Sequence, residues 1–366
     1  MTYAHRDSNY CFPVPDDNAF NALRFGFCLV VIIMHCLARS QTLAPYARFF
    51  DGHLAVCAFF ILSGFWVTKS YRADERPLAF YRKRAQRLLP LYYMTVVGCA
   101  VLLACVSTLP ARAYFSDRRF FAYLFWNGIF LNFMQPSLPG VFDGGAVNGS
   151  LWTIKVEISF YLILPLLVAL LRRLGSRRKQ NLFLAALYVF SVAWNMLLAR
   201  YAEALHVPQQ LSYQLPGFLS CFVSGMAYTI NGKELRRLER WLVVPSLVVL
   251  VLHYSTKTEI LLPFALTVVI FFAATHLRFL ARVGKPQDYS YGMYLFHFPI
   301  MQVCASCGFF ASAPRFCIGM IVATTLGMAF VAEKYVQERI RKTHAQSPLR
   351  AQDSAYGGAN VLTVHR

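Results

Sequence analysis

Apolar stretches of about 20 residues recur along the whole chain, separated by clusters of Lys and Arg, and this alternation limits the fold more than any motif does. A stretch of that length is what a helix needs to cross a hydrocarbon core. Candidate spans lie near 21–38, 53–69, 88–109, 151–171, 182–200, 212–230, 241–255, 259–277, 289–309 and 314–333. Composition agrees. The AVILMFWYC set makes up 57% of the 366 residues and DEKR only 14%, with a mean hydropathy of +0.45. Soluble domains carry about 25% charged residues, so this chain has more apolar surface than a soluble fold can hide. The excess faces lipid. Disorder, a coiled coil and a nucleic-acid-binding domain are excluded, the last despite a formal charge of +19, because the cations punctuate apolar segments.

The cations orient the spans through the positive-inside rule. One cluster runs from Lys69 to Arg87, and a second comprises Arg172, Arg173, Arg177, Arg178 and Lys179. If both are cytoplasmic, an even number of crossings separates them, and the spans at 88–109 and 151–171 already supply two. The stretch Phe120 to Met134 is therefore expected to be a re-entrant or interfacial piece of one long outer segment, about 110–150. The remaining clusters (Lys233 to Arg240, Arg278 to Lys285, and Lys334 onward) then fall on the inner side. The expectation is an all-α polytopic bundle of about ten transmembrane helices with both termini inside. Its parts would be a cytoplasmic segment 1–20, a membrane domain 21–335 and a polar cytoplasmic tail 336–366. Asp7, Pro13, Pro15, Asp16 and Asp17 interrupt any signal-peptide core, so the first span is read as retained. The ten cysteines lie in spans or on the inner side, so no disulfide framework is expected. Cys304 and Cys307 are read as packing, and no metal site is expected.

Ionisable groups inside spans are costly and point to function. Here they are Arg24, His35, Lys155, Glu157, His297 and, at the inner end of the last span, Glu333. Arg24 and His35, eleven residues apart, share a helical face and lie about 16 Å apart along the axis. Arg24 falls near the inner surface. His35 lies about 21 Å in, at the depth expected for Glu157 on a helix descending from the outer surface near Leu151. An imidazole and a carboxylate at one depth make an acid/base pair. Lys155 is expected to snorkel outward. Tyr291, Tyr294 and His297 share one rough face, which suits a ligand cavity or interhelical hydrogen bonding. In the inner loop, Arg84 and Arg87 stack one turn apart ahead of Pro90, a fork suited to phosphate.

Four blocks in order resemble the acyltransferase-3 family of integral membrane O-acyltransferases. They are Arg24-x10-His35; Phe59-Phe60-Ile61-Leu62-Ser63-Gly64-Phe65 followed by Arg84-x-x-Arg87-x-x-Pro90; the segment Gly149 to Tyr161 with Trp152 and Glu157; and the segment Tyr289 to Pro299 with Tyr291, Tyr294 and His297. The resemblance implies a ten-span bundle in a bacterial inner membrane. Acyl-CoA, usually acetyl-CoA, would be drawn from the cytoplasm as co-substrate, with no bound cofactor. The acceptor would be a sugar hydroxyl of a surface polysaccharide, exopolysaccharide or lipid-linked glycan, with polysaccharide-assembly proteins as partners. It also implies Arg24, Arg84 and Arg87 as acyl-CoA-binding residues and His35 and Glu157 as catalytic ones. Trp152, Tyr291, Tyr294 and His297 are then expected to line the sugar cavity. Cys57 stands where many members carry a polar residue, so no side-chain role is expected there. No SGNH-type domain follows residue 335, so the chain is expected to complete transfer itself or to pass acyl groups to another protein. The rival class is a transporter or flippase, which would move substrate without consuming acyl-CoA.

Overall fold

The computed structural model describes residue 12 and residues 14–204, 206, 208–256, 259–283 and 288–345. The expected tail beyond 345, the first eleven residues, Lys257 and Lys285 lie outside this set. All regular structure among the described residues is helical, with ten helices of 15 residues or more. These are α1 (Phe20–Arg39), α2 (Gly52–Asp74), α3 (Pro77–Leu102), α4 (Trp152–Arg173), α5 (Arg177–Tyr201), α6 (Leu215–Ile230), α7 (Gly232–Thr256), α8 (Leu262–His276), α9 (Ser290–Ser306) and α10 (Pro314–Ala345). Six segments, containing α1, α2, α3, α4, α5 and the first part of α10, are long and apolar enough to cross a membrane, and α8 is apolar but shorter. Phe120–Met134 does not form a span. It contributes the end of an 11-residue helix, Arg118–Gly128, about 16 Å long and too short to cross.

Local chemistry sets the boundaries. Asp51 caps α2 by accepting from the Leu54 amide at 2.9 Å, and Ser176 caps α5 through the Lys179 amide. Pro77 opens α3 at a position where the missing N–H costs nothing. Helix α2 ends on Glu75 in a left-handed conformation (φ 53°), and the Glu75 carboxylate pairs with Arg172 at the end of α4.

The interior is built on two buried clusters. One joins α2, α4, α6 and α8 around Phe65, Phe160, Phe222 and Phe271. At its centre α2 and α6 meet backbone to backbone. A Cβ on Gly64 would run into the Phe222 carbonyl oxygen, and one on Gly225 into that of Ile61. Thr229 donates across the same seam to the Phe65 carbonyl at 3.0 Å. Small residues at a close helix crossing are a usual device where lipid supplies no hydrophobic drive to associate. The second cluster joins α1, α3, α9 and α10 with residues of the 114–151 segment. Outward faces are apolar: Leu162, Val189, Trp241 and Val251 are 61%, 64%, 79% and 70% exposed, as a lipid-facing surface requires.

Candidate active site

Helices α1 and α9 run parallel and are tied at four levels. Arg24 Nη1 donates to Asp288 Oδ2 at 2.8 Å, and the Cys28 thiol lies 3.4 Å from the Ser290 carbonyl. His35 Nδ1 meets His297 Nε2 at 3.1 Å, and Arg39 donates to Gln302 Oε1. The histidine rung carries chemical information. His297 Nδ1 lies 2.8 Å from the Tyr294 carbonyl, which can only accept, so that nitrogen holds a proton. In a neutral ring His297 Nε2 then accepts, His35 Nδ1 donates, and His35 Nε2 keeps a free lone pair. His35 borders a cavity, whereas His297 is 0% exposed. His297, expected to touch the sugar, is instead buried behind His35 because both of its ring nitrogens are spent inside the protein.

The segment ahead of α4 is drawn into the bundle by α9. Gln302 Nε2 donates to the Ala146 carbonyl and Asn148 Nδ2 to the Leu295 carbonyl, each at 2.8 Å. The Asn148 side-chain oxygen in turn accepts from the Ser150 hydroxyl at 2.6 Å. The Thr153 and Tyr294 hydroxyls lie 3.0 Å apart. Helix α4 therefore starts beside Tyr294, inside the bundle, and Glu157 sits about 6 Å further along it, on the side of Arg24. This corrects the expected pairing with His35. The hydrogen-bond partner of Glu157 is Tyr161, one turn on, and that of His35 is His297.

Glu157 lines a cavity of about 90 Å³, termed inner because it lies on the side expected to face inward, together with Arg24, Arg84, Arg87, Asp288 and Tyr291. Tyr291, expected in the sugar cavity, belongs here, and its hydroxyl donates to the Leu88 carbonyl at 3.0 Å. Asp288 escaped the sequence reading because a loop aspartate looks solvated; the need of Arg24 for a partner was the available signal. Arg87 approaches Asp288 at 3.7 Å, and the Ser290 hydroxyl donates to its other oxygen at 2.5 Å. Burial alone would raise the Asp288 carboxyl, but the Arg24 charge, the Ser290 hydroxyl and Arg87 outweigh it and hold it below the usual range. Two polar atoms in the lining, Arg84 Nε and Ser63 Oγ, are buried without a hydrogen-bond partner. Such atoms are rare and mark a place for a ligand or water.

A second cavity of about 850 Å³, termed outer because it lies on the side expected to face outward, is lined by His35, Ser150, Trp152, Tyr213, Asp51, His53, His253 and Glu259, among others. Trp152 packs edge-on against Tyr213 with ring centroids 5.6 Å apart. Val56 and Tyr294 line both cavities and form the partition between them. Of the expected sugar-cavity residues, Trp152 and Tyr294 border the outer space. Lys155, expected to snorkel, places its ammonium 4.7 Å from the centre of the Phe133 ring. The nine described cysteines are free thiols.

The described fold is a bundle of long apolar helices with one cavity lined by three arginines and another bordered by an imidazole. The chain belongs to the acyltransferase-3 family, whose model, described as an acyltransferase domain, matches residues 17–332. It is similar to the O-acetyl transferase of Shigella phage Sf6, 24% identical over 333 residues covering 87% of this chain and 96% of the relative. Nodulation protein 10 of Rhizobium leguminosarum bv. viciae is 24% identical over 271 residues, 69% of this chain and 73% of the relative. The acyltransferase MdmB of Streptomyces mycarofaciens is 30% identical over 131 residues, 35% of this chain and 31% of the relative. No solved structure matches the chain.

Proposed function

We propose that the protein is an O-acetyltransferase of a bacterial inner membrane. It takes acetyl-CoA from the inner side and esterifies a sugar hydroxyl of a surface polysaccharide, exopolysaccharide or lipid-linked glycan at the outer side. In this reading all ten long helices cross the bilayer, with both termini inside, and residues 103–151 form the outer segment. The observation that carries the proposal is the pair of unlike cavities meeting at Val56 and Tyr294, with three arginines on one side and His35 on the other.

The inner cavity, at about 90 Å³, is too narrow for a nucleotide but suits an extended arm. The phosphates of CoA then stay at its mouth on Arg24, Arg84 and Arg87, where the Arg87 side chain is 48% exposed. Asp288 is a positioning residue that aims Arg24. The pantetheine arm covers the distance of about 16 Å between Arg24 and His35 and brings the thioester to the partition. His35 Nε2 takes the proton of the attacking sugar hydroxyl as the oxygen bonds to the thioester carbon. The C–S bond then breaks and the departing sulfur receives that proton from His35, giving free CoA and the O-acetyl ester. His297 holds the His35 ring in the productive tautomer, the role of an orienting group behind a base. Glu157, on the donor side, balances the arginines instead of acting as a base.

Membranes carrying the wild-type chain, given labelled acetyl-CoA, should release CoA and label a glycan, and His35→Ala should do neither. Full activity in that variant refutes the assignment. Movement of glycan without CoA release would favour the transporter class instead. Mass spectrometry of the surface glycan from a deletion strain should lack one acetyl group per repeat.

A further inference from the structure

The outer cavity contains a second group of ionisable side chains that the transfer chemistry does not use. Asp51 and His53 come from the start of α2, His253 from the end of α7, and Glu259 from the loop before α8. They are cross-paired: His53 Nε2 to Glu259 Oε1 at 3.2 Å, and His253 Nε2 to Asp51 Oδ2 at 3.6 Å. The group lies beside His35, because Gly52, between Asp51 and His53, packs so closely on Met34 that a Cβ would strike the Met34 methyl. A separate signal comes from Asn195. Its amide nitrogen donates to the Gly217 carbonyl at 2.9 Å, while its Oδ1 is buried without a hydrogen-bond partner on a residue that lines the same cavity. Among the described residues, the lining contains no Lys or Arg.

The outer cavity thus offers acceptors: the carboxylates of Asp51 and Glu259, the orphan oxygen of Asn195 and the free nitrogen of His35. Among the described lining residues it offers no fixed cation to balance an anion. From this we infer that the acceptor unit is a neutral, hydroxyl-rich sugar, held through its non-reacting hydroxyls by Asp51, Glu259 and Asn195, and that acidic sugars are rejected. The inference rests on the acetyl-transfer reading and deepens it by fixing the class of acceptor. Each carboxylate and the Asn195 oxygen takes an O–H from the sugar, while His53 and His253 hold the carboxylates in place. An anionic unit would bring its own carboxylate against these acceptors, and the like-charge contact would reject it.

The test uses the purified full-length chain in nanodiscs with labelled acetyl-CoA. The probes are methyl glycosides of neutral hexoses, their deoxy analogues and the matching uronides. Neutral glycosides should be acetylated, with uronides at least about 100-fold lower in kcat/KM. Removing one non-reacting hydroxyl should cost at least about 100-fold in the wild type, because it leaves a buried polar partner unpaired. Glu259→Gln and Asp51→Asn should raise the acceptor KM at least 10-fold and leave the acetyl-CoA KM within twofold. In one of these variants the deoxy penalty should shrink to a few-fold, a coupling that a merely structural role does not produce. Asn retains the capping oxygen of Asp51, so folding is preserved. An unchanged acceptor KM in both variants, or uronides used as well as neutral sugars, overturns the inference while acetyl transfer stands. Acetyl-CoA left unconsumed by the wild type overturns the underlying function, and this inference with it.

Discussion

The inner and outer cavities share Val56 and Tyr294 but are built on opposite electrostatic plans. The inner one is narrow and dominated by Arg24, Arg84 and Arg87. The outer one is roughly nine times larger in volume and presents oxygen and imidazole acceptors with no Lys or Arg among the described residues. The difference teaches how one bundle can keep two substrates apart. On the proposed function, a polyphosphate is held where guanidinium groups are concentrated and a neutral polyol where acceptors are. His35, the proposed base, lines the outer cavity beyond the Val56 and Tyr294 boundary and is held by His297, which lines neither.

The comparison can be broken most directly at that boundary. His35→Ala is expected to lower kcat about 1,000-fold, the usual scale for losing a general base, while CoA binding measured by calorimetry persists. Next in size, Arg84→Ala should raise the acetyl-CoA KM about 10- to 100-fold, since a charged hydrogen bond contributes about 1.5–3 kcal/mol. The acceptor KM should not move, and Arg84→Lys should restore little of the loss, because an ammonium lacks the planar fork. Glu157→Gln separates the sequence-based reading from the structural one. Its effect should fall on the acetyl-CoA KM by several-fold, and a 1,000-fold fall in kcat would return Glu157 to the role of base. Smallest in activity, Gly225→Ala should act on stability, through a clash of its Cβ with the Ile61 carbonyl. Overpacking costs about 1–3 kcal/mol, read as a lower midpoint in thermal unfolding at unchanged KM values.

Much of the arginine-lined cavity was legible in the sequence. Arg24 and His35 fall on one helical face by simple periodicity, and Arg84 and Arg87 by spacing, so the arginines could be grouped without any fold. The catalytic side was read less well, for a definable reason. Depth was counted from helix starts assumed to lie at the membrane surface, and Asn148 and Gln302 pull the start of α4 inside the bundle. Glu157 thereby left the level of His35. By the same count His297 stood about 12 Å in and His35 about 21 Å in, so their pairing could not be seen until the offset of α1 and α9 was known. Asp51, His53, His253 and Glu259 come from three distant segments and form no motif, so only tertiary structure assembles them.

The partition at Val56 and Tyr294 has a consequence for the cell as well as for the reaction. A continuous bore wide enough for a thioester would also conduct ions and discharge the potential across the membrane. Here the Tyr294 and Thr153 hydroxyls, 3.0 Å apart, and Val56 stand where the two spaces meet. On the proposed function, an acetyl group handed across those side chains would pass with no leak current, and the cell would keep its electrochemical gradient while its surface is decorated.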